Sequence, residues 1–147
     1  MTNKATPEGL ISTYTYNALA LLVTEQTQLG YAQSNTYDSA SRLTSVRDAL
    51  GRATTLQYDT AGNLTTITNA LGFSTVQGYD ANRNLTSLKD PLGNITTTTY
   101  NGAGQVLTVK DARGLVTTNT YDGSGRLQTV KAPDGGVQTF TYDSLSR

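Results

Sequence analysis

YDANRNLTSLKDPLGNITTTT, residues 79–99, carries two turn signals and two strand signals within 21 residues. The first turn opens on Asp80, whose carboxylate can hydrogen-bond the backbone two residues on. The second, Asp90-Pro91-Leu92-Gly93, meets type I turn preferences at its first, second and fourth positions. Sister runs such as Asn63 to Thr68 (NLTTIT) and Phe73 to Tyr79 (FSTVQGY) are rich in threonine, valine, isoleucine and tyrosine. Such residues suit a pleated surface, and strands of about six residues joined by four-residue turns make antiparallel hairpins.

The stretch recurs along the whole chain. A tyrosine stands at Tyr16, Tyr37, Tyr58, Tyr79, Tyr100, Tyr121 and Tyr142, always 21 residues apart. Asp follows it at Asp38, Asp59, Asp80, Asp122 and Asp143, and Asn at Asn17 and Asn101. A second column runs through Gly9, Gly30, Gly51, Gly72, Gly93, Gly114 and Gly135. In the first turn, Gly62, Gly104 and Gly125 hold the place where a type I turn closes on a left-handed residue. A fixed period means one supersecondary unit copied in series, each copy packing on its neighbours. The chain is therefore expected to be one array: a partial repeat over 1–15, full repeats at 16–36, 37–57, 58–78, 79–99, 100–120 and 121–141, and a partial repeat over 142–147.

Apolar columns recur at Leu22, Leu43, Leu64, Leu85, Val106 and Leu127, and three residues later at Val46, Ile67, Leu88, Val109 and Val130. A spacing of three does not keep to one face of a regular strand. Either a bulge shifts the register or the strand is apolar on both faces; the bulge is favoured, because turns closing on glycine often carry one. In the second strand Ile95, Val116 and Val137 share a face with Thr97, Thr118 and Thr139, and the alternate face ends on the tyrosine. The tyrosine column has two readings: packing, with each hydroxyl seeking a partner, and an aromatic strip for sugars. In the first copy Glu25 occupies the apolar column and Ala20 the turn glycine. ALALLVTEQTQ reads locally as a short helix, but the flanking register favours a strand.

The composition narrows function by exclusion. Lys plus Arg number 11 against 11 Asp plus Glu, scattered singly, which gives no field for nucleic acid or an anionic membrane. There is no cysteine, histidine or tryptophan, which removes thiolate sites and the commonest general base and metal ligand. No segment approaches a membrane span, and MTNKATPEG does not read as a signal peptide. The aspartates after the tyrosines are explained by turns, and one carboxylate per turn is a poor calcium cage. Asn63-Leu64-Thr65, Asn84-Leu85-Thr86 and Asn94-Ile95-Thr96 match a glycosylation acceptor by coincidence of the repeat. No catalytic residue, cofactor or metal site is expected. Arg42, Arg126 and Arg147, with Asn63, Asn84 and Gln105, stand just before the first strand and are placed to hydrogen-bond the neighbouring hairpin.

The assembled pattern, Tyr-Asp-x-x-Gly-Arg-Leu-x-x-Val-x-x-Pro-x-Gly, is clearest in YDGSGRLQTVKAPDG, residues 121–135. It resembles the RHS/YD-repeat family of large bacterial proteins, related to the repeat shells of insecticidal toxin complexes and of animal teneurins. The resemblance implies an all-β fold of tandem antiparallel hairpins forming a twisted spiral or curved sheet. It also implies a shell that, in toxin members, encloses a C-terminal toxin. Family members end the shell on DPxGL-type self-cleavage motifs, which Asp90-Pro91-Leu92-Gly93 resembles in part. Asn94 follows where leucine is expected, and the segment lies in register with an ordinary turn.

The expected function is accordingly a non-catalytic structural segment of a longer repeat shell that encloses or presents a toxin or effector, the chain breaking off inside a repeat at Arg147. Its expected partners are the remaining repeats and the cargo domain, and the resemblance places the parent in the secreted or cell-surface class. Two other readings stay open: a carbohydrate-binding or adhesion module using the repeat surface, and a homo-oligomer formed through sheet edges.

Overall fold

The computed structural model describes residues 2–5 and 11–143. Gly9, part of the first partial repeat and residues 144–147, Arg147 included, lie outside the described residues. The chain divides into two compact units, Met1–Ser74 and Thr75–Arg147.

The first unit contains β1 (Thr2–Ala5), β2 (Ile11–Tyr16), β3 (Leu22–Thr27), β4 (Ala32–Tyr37), β5 (Leu43–Arg47), β6 (Ala53–Tyr58) and β7 (Leu64–Thr68). Each pairs antiparallel with the next in chain order. The second unit holds β8 (Ser74–Tyr79, its first residue assigned to the other unit), β9 (Leu85–Lys89), β10 (Ile95–Tyr100), β11 (Val106–Lys110), β12 (Val116–Tyr121), β13 (Leu127–Lys131) and β14 (Val137–Thr139). These strands also pair antiparallel in chain order. The described residues contain no helix; the stretch that reads locally as one forms a turn over 17–20 and then β3.

From β3 to β13 the strands run to five or six residues, and five residues join each to the next where four were expected, except between β3 and β4, which four join. The β-turn itself spans four: Ser41 N–H donates to Asp38 O at 3.0 Å. A fifth residue closes the hairpin, with Asp38 N–H donating to Arg42 O at 3.0 Å.

A bulge accounts for the three-residue spacing of the apolar columns. In the β10–β11 ladder Thr99 faces Thr108 but Tyr100 faces Val106, so Leu107 is an extra residue. The insertion turns Val106 back to the face that already carries Val109, its partner Thr98, and Tyr100. Tyr37↔Leu43, Tyr58↔Leu64, Tyr79↔Leu85 and Tyr121↔Leu127 repeat the shift.

Within each unit the strands form a single layer. No described side chain is fully buried; Tyr100, Val106 and Val109 are half-buried on one face. On the other face Ile95 and Val137 are 47% and 59% exposed. With no interior to fill, cohesion has to come from ladder bonds, cross-strand pairs and side-chain bonds to the backbone.

Candidate functional site

The recurring feature of the surface is a turn built around one carboxylate. In the first turn after β4, Asp38 Oδ1 accepts the backbone N–H of Ala40 at 2.9 Å and of Arg42 at 3.0 Å. Its Oδ2 accepts Arg42 Nε–H at 2.8 Å. Asp122 does the same with Ser124 and Arg126, and Asp80 with Asn82 and Asn84. Asp59 accepts Asn63 N–H at 2.8 Å and its side-chain amide at 2.9 Å. The second turns reuse the device at Asp48, Asp90 and Asp111, with Asn69 Oδ1 accepting the equivalent backbone N–H groups. Asp143 lies at the end of the described residues, and the turn it opens falls outside them.

These bonds hold the carboxyls below their ordinary value of 3.8. For Asp38 the foremost cause is the Arg42 backbone N–H, for Asp59 the Asn63 side-chain amide; partial desolvation opposes both. Chemically, lone pairs that would serve a metal or a proton transfer are occupied by the turn's own donors. Among the described residues no three His, Cys, Asp or Glu side chains converge.

At Arg42, Gln105 and Arg126 the residue that closes the first turn also reaches the next copy. Arg42 Nη1–H donates to Asp59 O at 3.2 Å, and its guanidinium lies 4.7 Å from the Tyr58 ring centroid. Arg126 stands over Tyr142 at 4.6 Å. Gln105 Nε2–H donates to Gly125 O at 2.5 Å. The expectation that this column bonds across hairpins describes the geometry at Arg42 and Gln105.

The tyrosines end the strands that precede the first turns. Tyr37, Tyr58, Tyr100, Tyr121 and Tyr142 each donate their hydroxyl to a backbone carbonyl 15 residues upstream: Leu22 O, Leu43 O, Leu85 O, Val106 O and Leu127 O, at 2.7 to 2.9 Å. Tyr79 donates to Gln77 Oε1 at 2.5 Å, and Tyr16, at the end of β2, is 48% exposed. The recipient carbonyl has a reason to need a donor. The β3–β4 ladder runs only from Thr24↔Ser34 to Gln26↔Ala32, so Leu22 lies past its end, beside the bulge. Asn35 Nδ2–H reaches the same oxygen at 3.0 Å, and Asn119 repeats this at Val106 O. The sequence hints that the hydroxyl needs a partner; nothing in the residues themselves points to a carbonyl.

Gly30, Gly51, Gly72, Gly93, Gly114 and Gly135 stand fourth in the second turns with φ between 78° and 91°. At Gly93 a Cβ would meet nothing within 4 Å, so backbone conformation and not space selects glycine there. The first turns impose the same conformation on Ala20, Ser41 and Arg83, at φ 59°, 64° and 67°. Their register with Gly62 is the signal by which the sequence identifies them.

A family model described as RHS Repeat matches residues 37–75, 58–95, 79–117, 100–137 and 121–147, which together span 37–147. No curated protein matches the chain. Among solved structures, a TcdB2-TccC3-Cdc42 complex aligns with a TM-score of 0.71 and 17% identity, covering 91% of this chain and 9% of that one. A TcdB2-TccC3 structure aligns at 0.70 with the same identity and coverage. A mutant Tc holotoxin pore of Photorhabdus luminescens aligns at 0.54 and 16%, covering 93% of this chain and 11% of that one. At these identities the likeness is one of fold, and the chain spans only a small part of each neighbour.

Proposed function

Because the chain belongs to the RHS repeat family, we propose that it is a non-catalytic structural segment of a β-sheet shell enclosing or presenting a C-terminal toxin or effector. The observation that carries this reading is the link between copies. A tyrosine hydroxyl in one copy satisfies a carbonyl of the copy before it, at five of the seven tyrosines. The tyrosine, aspartate and glycine columns are then building parts. Tyrosine ties copy to copy, aspartate or asparagine closes most turns, and glycine lets the chain reverse. A single layer made this way grows by adding copies, as a wall does, without needing an interior of its own. Further support comes from the neighbours, one of them a Tc holotoxin pore, whose chains are far longer than this one. The same kinship supports a secreted or cell-surface parent protein.

The test is protease protection in the parent protein. Removing a whole number of copies, such as residues 58–99, should expose the cargo to a protease that leaves it untouched in the intact protein. A cargo equally resistant with and without the segment removes the shell reading.

A further inference from the structure

On the tyrosine-bearing face of the first unit, the apolar column of Val46 and Ile67 is interrupted by Glu25. Glu25 faces Tyr14 on β2 and Gln33 on β4, so three polar side chains stand in a row across three strands. Tyr31 shares that face with Gln33 by alternation and is 62% exposed. Glu25, Tyr31, Gln33 and Asp48 line an open hollow of about 300 Å³, near the lower end of small-ligand sites. Of its two carboxylates, Asp48 is neutralised by Arg52 at 2.7 Å. Glu25 accepts the Tyr14 hydroxyl at 3.2 Å, and among the described residues no cation pairs with it.

We propose that this hollow binds an alkylammonium group. The lining offers acceptors and an aromatic face, with a carboxylate between them that pairs with no cation among the described residues. An ammonium supplies three donors, needs no acceptor of its own, and is attracted to a tyrosine ring. Glu25 takes the charge-assisted hydrogen bond, the Gln33 side-chain carbonyl takes a second, and Tyr31 covers the cation. Two sources present this group, an amino sugar and a lysine side chain. The site is independent of the shell reading, since a wall segment needs no carboxylate at this position.

The experiment is a titration of the full chain followed by amide chemical shifts. The probes are a glucosamine tetramer, its N-acetylated counterpart and the tripeptide Gly-Lys-Gly. Shifts centred on Glu25, Tyr31 and Gln33 are expected with one or both amines, and whichever binds identifies the source. Glu25→Val installs the residue found at Val46, Val109 and Val130, so the fold should persist while affinity falls at least about tenfold, the worth of one charged hydrogen bond. Tyr31→Ala should weaken binding as well. The proposal is overturned by equal binding of the acetylated tetramer, by undiminished binding to a folded Glu25→Val chain, or by no shifts with either amine.

Discussion

The hydroxyl of Tyr37 donates to the carbonyl of Leu22, 15 residues upstream, at 2.8 Å. Leu22 begins the first strand of one copy and Tyr37 ends the second strand that follows it. The bond spans the hairpin at the place where its ladder has already ended. It answers for a backbone oxygen that the bulge displaces, and so couples the tyrosine column to the leucine column.

Tyr58→Phe and Tyr100→Phe should each destabilise the fold by about 1 kcal/mol, the net worth of one hydrogen bond that leaves a carbonyl to water. Tyr58→Ala should cost more, since the ring contact with Arg42 goes too. Urea unfolding measures both; a Phe variant as stable as the parent would remove the hydroxyl from the account.

Acid should weaken the array. The turn carboxyls of Asp38, Asp48, Asp59, Asp80, Asp90, Asp111 and Asp122 titrate below their ordinary 3.8 when folded. The ionised form therefore favours folding, so this contribution is complete above 3.8 and is lost as pH falls through the lower folded values. A series of urea midpoints against pH should drop below that point, and Asp59→Asn should flatten the drop. A midpoint indifferent to acid contradicts the turn geometry.

Ser41→Gly and Arg83→Gly should stabilise by about 1 kcal/mol each, because both positions hold a Cβ at positive φ. The reverse change, Gly62→Ala at φ 88°, should destabilise by a similar amount. Thermal midpoints of the three variants should move in these opposite directions.

Arg42→Lys should cost at most about 1 kcal/mol, because its pair with Asp38 is partly solvent-screened. Arg52→Lys should cost nearly nothing, since the Arg52 side chain is 62% exposed and, among the described residues, only Arg42 and Arg126 stand over a ring. Equal losses at the two sites would show that the stacking of Arg42 on Tyr58 contributes nothing.

The turns were the most legible part of the chain. Asp80 and Gly93 belong to residue types chosen by local backbone geometry, and local geometry is what a short window of sequence encodes. The bulge was half legible: the step from Val106 to Val109 required some register shift, but only the pairing of Tyr100 with Val106 located the extra residue at Leu107. Bonds between side chain and distant backbone were not legible. Tyr58 can be seen to need a partner, yet Leu43 O presents no residue type to recognise. The Glu25 row was hidden for a related reason: Glu25 stood out as an irregular copy, while its company with Tyr14, Tyr31 and Gln33 depends on strand register.

By itself, then, the sequence determined the period, the hairpin and the chemistry of the aspartate-led turns, because these are set within about five residues of chain. Tertiary structure decided where the tyrosine hydroxyls go, which residues share a face beyond the bulge, and that no described side chain is fully buried. Those outcomes depend on how one strand registers against the next, and register is a relation between residues that no single stretch of sequence contains.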